Sequence, residues 1–424
     1  MYAESEKYAI AIDLGTTTLA AALVQLTAGE ILSRKGSLNP QRLHGLDVIA
    51  RLQYAAVSAA NLRELQTLVN GELARLAENL LGEAGIAAGQ VQQVAIAANP
   101  AMTHLLLGLP VDTLARLPYR PRSTAAHTLR TAALGWSNDF PLYVFPSPGG
   151  FVGGDTVAFL YGQGFPEPRA QSPEPALFLD LGTNGEIALL ANGELSATSA
   201  AAGPAFEGGN LSCGMAALPG AICSVEAQAG RLVTATIDNA PAKGLCGSGV
   251  LDTVALLLNE GLLDATGQLL QPSESSSPLG SRLQEIDGER HFVIYRDAKI
   301  LLSLSQGDIR QVQLAKGAVR AGMEVLFERA GVSADKLKYI VITGSFGASL
   351  SFASLKTVGV LSESMLKKTG FVCEGALGGV GSALTNSAAA EQIAKLSGAL
   401  KIIPLSGTPL FEHYFMEHIN FPTV

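Results

Sequence analysis

One six-residue pattern occurs twice in this chain. Asp13-Leu14-Gly15-Thr16-Thr17-Thr18 recurs as Asp180-Leu181-Gly182-Thr183-Asn184-Gly185. Each copy follows a short apolar run (Tyr8 to Ile12, Ala176 to Leu179) and precedes another (Leu19 to Leu26, Glu186 to Leu190). That context predicts two hairpins with Gly-Thr tips, each with an aspartate at the end of its first strand. The chemistry of such a tip is specific. Glycine lets backbone N–H groups turn toward an anion, hydroxyls add donors, and a strand-end carboxylate can hold a hydrated Mg²⁺ beside phosphates. A single copy is compatible with an ordinary Asx-type turn. Two copies in the same setting favour a phosphate clamp in each half of the chain.

Composition narrows the setting. The 424 residues suit two or three domains. Lys and Arg number 29 against 37 Asp and Glu, a net charge of −8, which argues against nucleic acid or an anionic membrane as main partner. The N-terminus, MYAESEKYAI, lacks the basic and apolar regions of a signal peptide, and no apolar run reaches membrane-spanning length. Cys213, Cys223, Cys246 and Cys373 show neither a CxxC pair nor zinc spacing. The expectation is a reduced, soluble, cytoplasmic protein whose cysteines are small core or loop residues.

Strands and helices interleave, which predicts an α/β fold. Helical spacing runs over 59–84 and ends at Gly82 and Gly85; strands are expected at 91–97 and 339–342, and a long helix at 308–330. Asn99-Pro100 reads as the cap and first position of a helix through Leu107. The Pro-rich stretch 163–175 reads as a linker, so one boundary is expected there, with a first lobe over 1–165 and a second over 166–424. His104, in an apolar helix, reads as a satisfied core histidine. Gly378-Gly379-Val380-Gly381 reads as a loop entering a helix after Ser382.

Paired Asp-Leu-Gly-Thr hairpins resemble the phosphate-1 and phosphate-2 motifs of the acetate and sugar kinase, heat-shock chaperone and actin superfamily. Tyr339 to Gly347 (YIVITGSFG) resembles its adenosine motif, and Gly154 to Gly162 its connecting helix. Within the superfamily the chain resembles the C-terminal domain of the reductive activators of corrinoid proteins. The segments that carry this are Gly153-Gly154-Asp155, FLDLGTNGE (178–186), AGPAFEG (202–208), Cys246-Gly247-Ser248-Gly249, MTHL (102–105) and the final FPTV. The resemblance implies two related actin-like (ribonuclease H-like) lobes with a nucleotide cleft between them. It implies ATP and Mg²⁺, a homodimer, and restoration of Co(II) corrinoid proteins to Co(I).

The resemblance also implies residue roles. Asp13 and Asp180 would hold Mg²⁺ through water, and Gly15, Thr16, Thr17, Gly182, Thr183 and Asn184 would cradle phosphates. Asp155 would orient or deprotonate the attacking water; the plainer reading makes it a helix N-cap. Glu207 would reach the ribose or brace its own loop. Gly344, Ser345 and Gly347 would lie under the nucleoside, with Ser345 standing where the family has glycine, so that its Cβ narrows the adenine site. Asn99-Pro100-Ala101 replaces a more hydroxyl-rich segment. Family members carry a [2Fe–2S] ferredoxin-like domain; none is expected here, nor an iron–sulfur cluster on four scattered cysteines, so the donor would be truncated away or separate. The alternatives are a small-molecule kinase and a non-catalytic actin-like assembly protein.

Overall fold

The computed structural model describes residues 6–45, 47–116, 119–165, 174–344, 346 and 350–423. The chain opens with β1 (Tyr8–Leu14), β2 (Thr18–Gln25) and β3 (Glu30–Leu38), then α1 (Val48–Val57) and α2 (Ala59–Ala84). β4 (Val91–Ala98), α3 (Pro100–Leu107), β5 (His127–Arg130), β6 (Pro141–Val144) and α4 (Gly154–Gly162) follow. Next come β7 (Ala176–Leu181), β8 (Gly185–Ala191), β9 (Glu194–Ala200), β10 (Ala221–Gln228), β11 (Arg231–Thr236) and β12 (Gly244–Leu245). α5 (Gly247–Asn259) precedes β13 (Leu283–Ile286), β14 (Glu289–Arg296) and β15 (Leu301–Ser305), which lead into α6 (Gln306–Ala330). The last elements are β16 (Tyr339–Thr343), α7 (Phe352–Thr357), α8 (Glu363–Leu366), β17 (Thr369–Phe371), α9 (Gly375–Leu384), α10 (Ala389–Ala399), β18 (Leu400–Ile402) and α11 (Pro409–His418).

Helix ends follow their capping chemistry. Ser58 accepts from the Asn61 N–H at the start of α2, and Gly85, at φ 67°, ends it in the left-handed region. α6 begins two residues before the expected Asp308, because Ser305 is the cap and Asp308 closes a capping box onto it. α9 corrects the sequence reading. The glycines at 378, 379 and 381 lie inside the helix, which starts at Gly375.

The chain divides into two compact units, Met1–Pro173 with Gly193–Ala197 and Glu374–Ile402, and Glu174–Asn192 with Thr198–Cys373 and Ile403–Val424. The single boundary expected at 165/166 is therefore joined by further crossings near residues 193, 374 and 403. Most of the expected linker, residues 166–173, lies outside the described residues.

In the first unit six strands run β3-β2-β1-β4-β6-β5; β1 is antiparallel to β2 and parallel to β4, and β4 is parallel to β6. β1 is central and covered on both faces, so it reads as a nearly continuous apolar run. α2 and α3 pack among Leu65, Leu73, Leu80, Met102 and Leu105. α9 packs on α4, β1 and β4.

In the second unit the same pattern returns. β8, β7, β16 and β17 lie side by side, with β7 antiparallel to β8 and parallel to β16, and β16 parallel to β17. α5 and α6 bury Val250, Leu257, Val319 and Leu326 in its core. The C-terminal tail belongs to this unit. The Lys316 ammonium, from within α6, donates to the carbonyls of His418 (2.6 Å) and Asn420 and sits 5.3 Å from the centre of the buried Phe421 ring.

Candidate functional site

The first Asp-Leu-Gly-Thr turn is stiff. Asp13 sits at the carboxyl end of β1, paired with Ala20 on β2 and Ala97 on β4. A Cβ on Gly15 would lie 2.5 Å from the Thr18 carbonyl oxygen, so the turn closes only around glycine. The Thr16 hydroxyl, 5% exposed, accepts from Asn99 Nδ2 at 3.0 Å. Asn99 also caps α3, its Oδ1 accepting from the Met102 N–H at 2.9 Å. One side chain thus joins the start of α3 to the first turn.

The Gly153-Gly154-Asp155 segment is pressed against the same place. A Cβ on Gly153 would overlap Asn99 Cα and the Ala98 carbonyl oxygen; one on Gly154 would lie 2.7 Å from Phe145 Cβ. The N-cap of α4 is Gly153, and Asp155 lies in the first turn of the helix, so the capping role considered for it falls to its neighbour. The half-buried Asp155 accepts from the Thr156 N–H at 2.7 Å. Burial pushes its carboxyl up to about 6, against which hydrogen bonds from Thr156 and neighbouring main-chain groups work only in part. Asp13, Gly15, Thr16, Asn99 and Asp155 thus gather where β1, α3 and α4 meet.

The second turn has its own surroundings. Asp180 pairs with Thr343 on β16 and directly across from Glu186 on β8, so two carboxylates share one face of the sheet. Glu186 is 8% exposed and accepts from Ser199 Oγ at 3.3 Å. The Thr183 hydroxyl donates to Glu207. Glu207 ends a single 3₁₀ turn, Pro204–Glu207, and it braces the 182–184 turn. Gly182 N–H donates to the Asn184 carbonyl at 3.2 Å, which closes this turn.

Gly344 follows β16 at φ 146°, and a Cβ there would lie 2.7 Å from the Leu181 carbonyl oxygen. The turn after β16 is thereby held against the end of β7. A Cβ on Gly247 would overlap the Phe206 carbonyl oxygen and approach the Phe346 ring. The AGPAFEG, CGSG and adenosine-like segments therefore form one cluster in the second unit. Ser345 and Gly347 lie outside the described residues.

Each unit offers a cation oxygen donors of its own, Asp13 in the first unit and, in the second, Asp180 across from Glu186 as a separate set. Among the described residues no three or more His, Cys, Asp or Glu side chains cluster as a metal cage. A Mg²⁺ that keeps most of its waters and leans on one or two carboxylates fits either set. Cys213, Cys223 and Cys246 donate to the carbonyls of Ser303, Ala235 and Ile222. Burial pushes the Cys213 thiol up to about 12, which disfavours the thiolate a metal needs. His104 is satisfied at both ring nitrogens: Nε2 accepts from the Arg122 main-chain N–H at 3.0 Å, so Nδ1 carries the proton and donates to the Pro100 carbonyl at 2.7 Å. Among the described residues no helix is long and apolar enough to cross a membrane.

Comparison with known proteins follows the same division. Residues 8–167 match the RACo middle region, and residues 174–424 match the C-terminal domain of RACo, the ASKHA domain. The corrinoid activation enzyme RamQ of Eubacterium limosum is 32% identical over 373 residues, 84% of this chain and 61% of that protein. The [Co(II) methylated amine-specific corrinoid protein] reductase of Methanosarcina barkeri is 24% identical over 83% of this chain and 65% of its own length. The chain thus spans less than two thirds of either relative. A solved reductive activator for corrinoid, iron–sulfur protein superposes with a TM-score of 0.91 at 27% identity, over 99% of this chain and 67% of that one. The chain belongs to the RACo family, with the actin-like α/β architecture of its ASKHA domain.

Proposed function

We propose that this chain is the ATP-binding and ATP-hydrolysing part of a reductive activator that returns Co(II) corrinoid proteins to Co(I). The observation that carries this is the convergence of Asp13, Gly15, Thr16, Asn99 and Asp155 in one unit, echoed by Asp180, Thr183, Glu207 and Gly344 in the other. The family membership supports a corrinoid protein as the target.

On this reading the Gly15–Thr17 and Gly182–Asn184 turns hold nucleotide phosphates with main-chain N–H groups and hydroxyls. Asp13 and Asp180 would hold Mg²⁺ through its waters, and the ion supplies positive charge to the phosphate oxygens. Gly344 would lie under the nucleoside. Asp155 takes the proton of the water that attacks the terminal phosphorus; the bond to the bridging oxygen breaks and ADP and phosphate leave. Closure around ATP and reopening after hydrolysis would drive the conformational change that lets one electron reach Co(II). That electron comes from a ferredoxin-type donor, on the same polypeptide or a separate one, and the activator works as a homodimer.

The test is phosphate release with ATP and Mg²⁺, with and without a Co(II) corrinoid protein. The expected result is free phosphate with no phosphorylated metabolite, released faster when the corrinoid protein is present. A phosphorylated sugar or carboxylic acid as product would assign the chain to the kinases instead.

A further inference from the structure

The first phosphate turn is built from behind by two side chains that no motif identifies. Asn39, 0% exposed, donates from Nδ2 to the Gly15 carbonyl at 3.0 Å, and its own main-chain N–H donates to the Thr17 carbonyl at 2.9 Å. Arg51, 1% exposed, donates from Nη1 to the Thr16 carbonyl at 2.6 Å and from Nε to the Gly45 carbonyl at 2.8 Å. Three successive carbonyls of the turn are thus taken by one pair of residues. In a planar trans peptide the carbonyl and the following N–H point in opposite directions.

We infer that Arg51 and Asn39 are positioning residues for the nucleotide phosphates: by holding the carbonyls of Gly15, Thr16 and Thr17 to one side, they present the N–H groups of Thr16, Thr17 and Thr18 on the other. The inference rests on the ATP reading and adds the device that sets the phosphate affinity of this turn.

Both residues are themselves fixed. Asn39 Oδ1 accepts from the Gln41 N–H at 3.0 Å as the cap of the 3₁₀ turn Pro40–His44, so its amide cannot rotate without losing that bond. Arg51 lies in α1, whose cap, Asp47, accepts from the Ala50 N–H. Gly45, the second acceptor of Arg51, stands at φ 153° with no room for a Cβ beside Ala50. Burial lowers the guanidinium to about 10, so it stays charged at neutral pH, with Asp47 favouring and Arg42 opposing its charge. An apolar side chain of similar volume would avoid the cost of burying a charge. It would lack the donors that hold the Thr16 carbonyl, and it would remove positive charge from behind a phosphate-binding turn.

The test uses the full chain with Arg51→Met and the conservative Arg51→Lys. Binding of ATP and of adenosine is measured, with amide exchange of peptides covering 14–19 in the nucleotide-free protein. In Arg51→Met, ATP binding should weaken roughly tenfold or more, adenosine binding should stay within twofold, and exchange of the turn should quicken roughly tenfold. Arg51→Lys should recover part of the ATP affinity. Equal losses for ATP and adenosine, or unchanged ATP affinity, would overturn the inference. If the parent protein binds no ATP, the proposed function falls and the phosphate-positioning role falls with it; if the parent binds ATP and Arg51→Met binds it equally well, the positioning role alone is overturned. Should Arg51→Met fail to fold, Asn39→Asp is read by the same criteria, since it keeps the cap acceptor and loses the amide donor that the Gly15 carbonyl and Met102 Sδ accept.

Discussion

The two glycines of the repeated Asp-Leu-Gly-Thr motif serve different ends. Gly15 is required because a Cβ would strike the Thr18 carbonyl at 2.5 Å, whereas a Cβ on Gly182 would lie 3.6 Å from its nearest neighbour, the Asn184 carbonyl, at ordinary contact distance. Identity of motif does not carry identity of constraint. On the proposed function, Asp155 is where residue chemistry bears most directly on activity. Its carboxyl is raised to about 6, so the base form is lost as pH falls through that value and is complete above it. ATP turnover should therefore plateau above about pH 7 and fall on the acid side with a midpoint near 6, and Asp155→Asn should cut kcat roughly a hundredfold and remove that limb. A pH profile shared by Asp155→Asn and the parent protein would remove Asp155 from the chemistry. Much of this neighbourhood was legible: Asn99 announced itself as a cap by the Asn-Pro pair, and Asp155 by its glycines. The bond from Asn99 to Thr16, and those from Arg51 and Asn39 to the turn, join residues far apart in sequence, where local pattern carries no signal. Arg51 in particular is a lone cation in an apolar helix. Glu207 was legible as a polar residue in a glycine-rich loop, but its partner, Thr183, was not.

Among the elements, α2 and α6 were readable because their apolar spacing has the helical period and their ends carry capping residues. α9 was not, because four glycines in ten residues mimic a loop. Within it, Gly379 lets the helix approach α4 at backbone distance. A Cβ on Gly379 would overlap the Ala158 carbonyl oxygen, and one on Gly162 would lie 3.0 Å from Gly379 Cα. Packing thus overrides propensity. A Cβ on the adjacent Gly378 meets nothing within 4 Å. Gly379→Ala should destabilise the protein by about 2–3 kcal/mol through overpacking, while Gly378→Ala should stabilise it by about 0.5–1 kcal/mol by reducing backbone freedom in the unfolded chain. Denaturant unfolding of the two variants measures this; equal effects would mean that α9 does not rest on that close approach.

At the scale of the molecule, the echo at residues 13 and 180 foretold two units with the same strand pattern, and both have it. The discontinuity of the units was hidden. Residues 374–402 join the first unit while 403–424 return to the second, where the buried Lys316 fastens the tail. Neither destination leaves a mark in local sequence, because each depends on surfaces formed elsewhere in the chain. At this scale the proposed function is that ATP turnover by these units drives one electron onto cobalt. The most direct measurement mixes the chain with a Co(II) corrinoid protein, a reduced ferredoxin-type donor, Mg²⁺ and ATP, and follows the Co(I) absorption. Co(I) should accumulate with ATP and stay at baseline when ATP is omitted or replaced by a non-hydrolysable analogue. Equal Co(I) formation with and without ATP, or none in either case, would contradict the proposed function.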